Sequence, residues 1–143
     1  MKFWDTSAIV ALCVVEPATP QVRQVVDTDQ SLVVWWATRT ECVSAFSRRR
    51  REGVLSAQAE RRARHVLAAI AAEWSEVLPS EAVRLRAERL LAVHPLRAAN
   101  AFQLAAALLW SRGDTATHAI VSFDERLREA ASREGFHVLP ERG

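Results

Sequence analysis

The sequence predicts an α/β fold with a mostly parallel central sheet flanked by helices. Strand-like runs alternate with longer helical stretches along the whole chain, and this alternation is typical of parallel sheets. Half of the 143 residues are apolar, which excludes a disordered chain and is enough for one hydrophobic core. No internal repeat or linker-like stretch divides the sequence. We therefore expect a single domain over residues 1–143.

The first 36 residues predict a strand, two helices and a second strand. Lys2–Trp4 is a short strand, which polar residues end, and the apolar stretch Ala8–Val15 is a buried helix closed by a Glu-Pro pair. The next helix covers Thr19–Thr28, because a proline suits its first turn. Ser31–Trp36 is rich in β-branched and aromatic residues, which predicts a strand.

Residues 38–91 predict three helices and one short strand. Thr38 and Glu41 have the spacing of a capping box, which opens a helix to Gly53. The helix after Ser56 carries apolar residues at helical spacing on one face: Ala63, Leu67, Ile70 and Trp74. Glu76–Leu78 is a short strand, and Ser80 caps a helix to about Leu91.

Residues 95–139 complete the alternation. A strongly apolar helix, Arg97–Trp110, follows a proline, and His118–Ser122 is a strand. Ser122 and Glu125 form a second capping box, which opens a helix to Arg133. Gly135 ends that helix, and Phe136–Leu139 is the last strand.

The basic residues are unusual in kind rather than in number. The net charge is only +2, but 19 residues are basic and all except Lys2 are arginine. Arginine suits bidentate contact with phosphate, whereas coding bias explains the same excess equally well. The densest basic segment is either an RNA-binding surface or the solvated ends of two helices; it comprises Arg39, Arg48–Arg51, Arg61, Arg62 and Arg64.

Other chemistry-bearing residues have structural explanations. Cys13 and Cys42 lie in apolar stretches, so reduced buried thiols are favoured over a disulfide or a metal pair. Of the adjacent Trp35 and Trp36, one could stack on a nucleic-acid base while the other packs in the core. The four histidines are scattered without ligand spacing. Because no run is long enough to span a bilayer and no signal peptide is recognisable, we expect a cytoplasmic protein.

Polar residues follow the predicted strands where a parallel sheet places its ligand site. Asp5 follows the first strand, Glu41 lies in the helix after the second, and Asp124 follows the fourth. Asn100 lies in the first turn of the apolar helix. Each acid could merely stabilise a helix N-terminus. Carboxylates gathered at one sheet edge repel each other unless a cation lies between them, and Mg²⁺ or Mn²⁺ prefers such oxygen ligands.

Four stretches in the same order resemble PIN-domain ribonucleases, especially VapC toxins of bacterial VapBC toxin–antitoxin pairs. They are Phe3–Val10, Thr40–Ala45, Leu96–Ala107 and Val121–Leu127. The resemblance implies a PIN-like three-layer sandwich. It also implies that Asp5, Glu41 and Asp124 line a Mg²⁺ site together with position 100, and that the hydroxyl of Ser7 supports this site.

The resemblance further implies a metal-dependent endoribonuclease toxin that is neutralised by a VapB-like antitoxin. Water would attack the phosphodiester in line and leave a 5′-phosphate and a 3′-hydroxyl. An antitoxin would dock on the early helices, Ala8–Val15 and Thr38–Gly53. The resemblance also implies a homodimer, and Ala82–Leu91 and Ala98–Trp110 hold more apolar residues than one sheet face needs.

One departure from the family pattern leaves two functions open. Position 100 is Asn where the family normally has Asp, and the amide keeps a carbonyl oxygen but loses a negative charge. The chain is therefore either an attenuated nuclease or a catalytically inactive PIN-like module that binds antitoxin or RNA. The sequence does not distinguish a natural inactive member from a deliberately inactivated version.

A phosphatase with an aspartate nucleophile, or a phospho-acceptor domain, is disfavoured. Such sites expect a second Asp two residues after the first, or an acidic pair beside the first strand, and usually a lysine late in the chain. Here the residue two after Asp5 is Ser7, and the only lysine is Lys2.

Overall fold

The computed structural model describes residues 1–142 and contains one five-stranded sheet. The sheet is parallel throughout, where the sequence predicted it to be mostly parallel, and its strand order is β3-β2-β1-β4-β5. All five predicted strands are present, with ends within about two residues of the expected ones: β1 (Lys2–Trp4), β2 (Leu32–Trp35), β3 (Ser75–Val77), β4 (Ala119–Val121) and β5 (His137–Leu139).

Helices cover both faces of the sheet and form a three-layer sandwich, as predicted. One face packs against α1 (Thr6–Cys13), α2 (Thr19–Thr28), α3 (Thr38–Arg51) and α4 (Ala57–Ala71). The other face packs against α5 (Glu81–Val93), α6 (Ala98–Ser111) and α7 (Glu125–Arg133). A single 3₁₀ turn, Thr115–Thr117, precedes β4.

The central strand β1 is buried on both faces, which explains its apolar sequence. Adjacent residues on a strand point to opposite faces, so Phe3 packs in the core beneath α5–α7 and Trp4 in the core beneath α1–α4. Both side chains are fully buried. The carboxyl end of this strand therefore lies at the centre of the sheet edge, with Asp5 as the next residue.

The first predicted capping box is wrong. Helix α3 begins at Thr38, so the residue in the cap position is Ala37. No side chain caps this helix. The Thr38 hydroxyl is buried and accepts a hydrogen bond from the amide of Gln103 instead. By contrast, the predicted serine caps Ser56 and Ser80 are confirmed, since each hydroxyl accepts a backbone N–H of its own helix.

The second predicted capping box is also wrong. Asp124 caps α7, and its Oδ1 accepts the backbone N–H of Leu127 at 3.0 Å. The Ser122 hydroxyl lies two residues before the cap and bonds to Asp5. The predicted end at Gly135 is confirmed: its φ is +99°, and a Cβ there would lie 2.5 Å from the Thr115 hydroxyl oxygen.

The expected apolar surplus is confined to α5. Helix α6 has no apolar surplus, because most of its residues are buried in the core between the sheet and the neighbouring helices. Helix α5 packs on α6 and leaves large apolar side chains exposed, among them Leu85, Leu91 and Val93. In the part of the chain that the structure describes, no helix is both long and apolar enough to cross a membrane.

Candidate metal-binding cleft

Asp5 is the most enclosed acid at the carboxyl edge of the sheet. It follows β1 directly and caps α1, with its Oδ1 accepting the backbone N–H of Ala8 at 3.1 Å. The residue is only 2 % exposed. A carboxylate that merely caps a helix needs no such burial. Capping alone therefore does not account for its position.

Two serines hold the Asp5 carboxylate. The Ser7 hydroxyl donates to Oδ1 and the Ser122 hydroxyl donates to Oδ2, each at 2.7 Å. Each serine oxygen in turn accepts a backbone N–H of the loop between β4 and α7: Ser7 from Phe123 at 2.8 Å and Ser122 from Asp124 at 3.1 Å. The carboxylate and this loop are thus fixed against each other.

Burial makes the ionised form of Asp5 unfavourable. It raises the pKa of this carboxyl to about 6, and the nearby charge of Asp124 adds to the rise. The hydrogen bonds from Ser7, Ser122 and Ala8 act in the opposite direction without cancelling the effect of burial. A cation beside the carboxylate would remove this penalty, so the electrostatics favour a positive ligand.

Asp5, Asn100 and Asp124 line one cleft of about 400 Å³. Asn100 reaches it from the first turn of α6, and Asp124 from the N-terminus of α7. Three of the four positions selected from the sequence therefore meet in one place. Ser7, whose hydroxyl the resemblance assigned a supporting part, lines the same cleft and bonds to Asp5.

Glu41 lies at the border of this cleft and does not line it. Its Oε1 accepts a hydrogen bond from the Thr6 hydroxyl, and Thr6 itself lines the cleft. The same oxygen accepts the side-chain amide of Gln103 at 2.9 Å. The half-buried Glu41 also borders a neighbouring cleft of about 520 Å³ that Trp36 and Arg84 help to line.

The donor set fits a divalent ion held by few protein ligands. Within residues 1–142, no group of three or more His, Cys, Asp or Glu side chains is arranged to hold a metal. Mg²⁺ is commonly bound by one or two carboxylates and keeps several waters. Asp5 and Asp124, with the amide oxygen of Asn100, supply such an all-oxygen set in a cleft wide enough for water.

Two arginines bring positive charge to the same cleft. Arg48 and Arg49 line it from the last turn of α3. Arg49 is tied to Glu16 at 3.0 Å, whereas Arg48 is more exposed and has only a 3.8 Å contact with Glu52. The other arginines of the dense basic segment are exposed, namely Arg39, Arg50, Arg51, Arg61, Arg62 and Arg64.

Sequence reasoning missed three polar residues around the acids. Ser122 was assigned to a capping box, and Thr6 and Gln103 were not singled out. Gln103 carried a usable signal, because it is the one amide inside an otherwise apolar stretch of α6, Ala101–Trp110. Ser122 and Thr6 carried none, since serine and threonine are common beside any helix start.

Most of the other residues singled out from the sequence lie in the core, and Trp36 does not. Cys13 and Cys42 are free and buried, as predicted, and burial raises the pKa of both thiols. Trp35 is buried and stacks on Phe102, with 5.5 Å between ring centroids, while Trp36 is exposed. Of the four histidines, His94 is buried, and its Nε2 lies 2.6 Å from a carboxylate oxygen of Glu134.

Comparison with known proteins supports the fold. No protein-family model matches the chain, and no curated protein matches its sequence. Among solved structures, the crystal structure of FitAcB from Neisseria gonorrhoeae is similar, with a TM-score of 0.65 and 15 % identity. The match covers 96 % of this chain and 96 % of that chain. At this level of identity, the similarity shows that the two proteins share a fold over almost their whole length, and it shows nothing more.

Proposed function

We propose that this protein is a metal-dependent endoribonuclease of the PIN type that acts as the toxin of a VapBC-like toxin–antitoxin pair. One observation carries the proposal: a buried carboxylate, Asp5, meets Asp124 and Asn100 in a cleft at the carboxyl edge of a parallel sheet. An isolated buried carboxylate is costly, and a divalent cation is the partner that relieves the cost for two acids at once.

The chain's own residues would bind and orient the reacting groups. Asp5 and Asp124 would hold Mg²⁺ or Mn²⁺ with the Asn100 oxygen, while Ser7 and Ser122 fix the Asp5 carboxylate. When bound, such an ion polarises a phosphodiester and lowers the pKa of water. Glu41, at the border of the cleft, would act on the attacking water or on the ion's water ligands.

The basic surface beside the cleft supports RNA as the substrate. Arg48 and Arg49 border the acids, and further exposed arginines continue along α3 and α4. Such a patch gives affinity for the phosphate backbone without reading its sequence. The carboxylates alone would repel RNA, so cationic side chains at the cleft mouth are needed to bring a phosphodiester close.

Two protein partners belong to the same proposal. The exposed apolar side chains of α5, Leu85, Leu91 and Val93, would form a homodimer interface. A VapB-like antitoxin would dock near the acids. Because α1 is mostly buried, α3 and the segment after α1, where Val15 is 92 % exposed, would supply most of that docking surface.

A second function is favoured by the chemistry of position 100. An inactive module that binds antitoxin or RNA would keep the fold and the arginines and would tolerate the loss of one carboxylate. Asn100 is the observation that favours it, since the third acid that lines the cleft, Glu16, is paired with Arg49 at 3.0 Å.

RNA cleavage separates the two functions. We would incubate an RNA pool with the purified protein and Mg²⁺ or Mn²⁺, with EDTA as the control, and identify the ends of the products. The nuclease proposal predicts metal-dependent cleavage with 5′-phosphate and 3′-hydroxyl ends, weak in the chain with Asn100 and stronger in Asn100→Asp. RNA binding without cleavage by either protein would favour the inactive module.

A further inference from the structure

Gln103 is the one polar residue in the apolar stretch Ala101–Trp110 of α6. It lies on α6, is 1 % exposed, and contacts residues of both α1 and α3. Its Oε1 has no hydrogen-bond partner within residues 1–142. An amide buried with an unpaired oxygen is costly, and leucine or alanine, which fill the rest of this stretch, would avoid that cost. Packing therefore does not explain glutamine here.

The amide nitrogen of Gln103 lies within hydrogen-bond distance of three oxygens from two other helices. It lies 2.9 Å from Glu41 Oε1, 3.0 Å from Thr38 Oγ1 and 3.1 Å from Thr6 Oγ1. An amide has only two hydrogens, and the Thr6 hydroxyl donates its own proton to Glu41. The shortest contacts then assign one amide hydrogen to Glu41 and the other to Thr38.

Both donors act on the same oxygen of Glu41. The Thr6 hydroxyl comes from α1 and the Gln103 amide from α6, so the carboxylate is held from two directions. Without the amide, Glu41 Oε1 would keep the Thr6 hydroxyl as its one side-chain donor. The carboxylate would then be freer to turn into the neighbouring cleft, which Glu41 also lines.

We propose that Gln103 is a positioning residue that fixes the Glu41 carboxylate at the border of the acid cleft. Its effect on catalysis rests on the proposed nuclease function, whereas its effect on the order of the Glu41 side chain does not. The role belongs to the amide hydrogen on Glu41 and not to the one on Thr38. This difference makes Thr38 the matched control.

The first test measures the Glu41 side chain directly. In Gln103→Met, which keeps length without the amide, ¹³C relaxation of the Glu41 side chain should show a clear loss of order. Thr38→Val removes the other hydrogen bond of the same amide and should leave Glu41 ordered. If Glu41 is as ordered in Gln103→Met as in the parent protein, the proposal is overturned.

The second test measures cleavage in the background that cleaves RNA, with either Asn100 or Asn100→Asp. Gln103→Met should lower kcat by about 10- to 100-fold with little change in KM, as is typical when an orienting partner is lost. Thr38→Val should stay within about threefold of its parent. Equal losses in both variants would contradict the proposal, because they would indicate general loosening of the core.

A second variant covers the case in which Gln103→Met does not fold. Gln103→Asn keeps a buried amide but withdraws it from Glu41 by one methylene, so it should fold, as circular dichroism would report. The Glu41 side chain should still lose order in this variant; a Glu41 as ordered as in the parent protein would overturn the proposal. If no background cleaves RNA, the nuclease function fails, and the relaxation measurement still decides the role of Gln103.

Discussion

The two ends of the sheet carry cavities that differ in size and in chemistry. At the amino ends of β1–β3, a groove of about 670 Å³ is lined mainly by apolar side chains, including Leu12, Val26 and Ile70. At the carboxyl ends, the smaller acid cleft holds the buried, doubly anchored Asp5. The larger cavity is therefore not the better candidate site: a costly, well-held carboxylate is stronger evidence of function than volume is.

The topology explains this contrast. In a parallel sheet every strand runs in the same direction, so each loop that leaves a carboxyl end can place a polar side chain at the same edge. Asp5 leaves β1 and the loop with Asp124 leaves β4, and these two strands are neighbours. The amino edge instead receives the ends of helices α1 and α4, which bring their apolar faces.

Replacing Asp5 should give the largest effect on activity. Asp5→Asn keeps the shape of the side chain but removes the charge that would hold the metal, so cleavage should fall by more than about 100-fold. Metal-dependent RNA cleavage in the Asn100→Asp background measures this. Cleavage that survives the change would remove Asp5 from the site.

The same variant should be more stable than its parent at neutral pH. The pKa of Asp5 rises from 3.8 to about 6 on folding, so the folded state loses stability as pH rises through this range. The penalty is on the order of 3 kcal/mol above pH 6 and vanishes below pH 4. Urea unfolding without metal should therefore give Asp5→Asn a higher free energy of unfolding than the parent at pH 7.5. At pH 3.5 the two values should be equal. No gain at pH 7.5 would contradict the burial argument.

Restoring a carboxylate at position 100 should give the next largest effect. Asn100→Asp adds a negative ligand to the cleft, and we expect cleavage and Mg²⁺ affinity to rise by about 10- to 100-fold. Cleavage rates against Mg²⁺ concentration would measure both. If the folded variant binds metal no better and cleaves no RNA, Asn100 does not mark a lost ligand.

An arginine pair sharpens the comparison further. Arg48→Ala and Arg50→Ala each remove one positive charge from α3, but only Arg48 lines the acid cleft. Arg48→Ala should lower the slope of log RNA affinity against log salt concentration by about 1, the value for one lost phosphate contact. Arg50→Ala should lower the slope by less. Fluorescence anisotropy over a salt series measures this; identical slopes would mean that the cleft does not contact the backbone.

The smallest effect on activity is expected at the amino edge. Ile70→Ala widens the larger groove and should lower the free energy of unfolding by about 1–2 kcal/mol, less than for a fully buried isoleucine. RNA cleavage should stay at the parental rate wherever the protein is folded. A selective loss of cleavage would show that the two edges are coupled.

The sequence predicted which residues lie at the site better than it predicted their hydrogen-bond partners. Apolar strands and polar strand ends are local patterns, and they placed Asp5, Asn100 and Asp124 at the correct edge. The two capping boxes failed because Thr38 and Ser122 had attractive local partners. Their actual partners lie 65 and 117 residues away in the sequence, and local spacing carries no information about contacts of that range.

The most direct test of the account is where a divalent ion binds. In a nuclear magnetic resonance titration of the folded protein with Mn²⁺, paramagnetic broadening should begin at Asp5, Asn100 and Asp124 and should appear at lower Mn²⁺ concentration in Asn100→Asp. Signals of Trp74, which lines the amino-edge groove, should stay sharp. Broadening spread evenly over the surface, or absent from the acid cleft in both proteins, would contradict the claim that this cleft is a metal site.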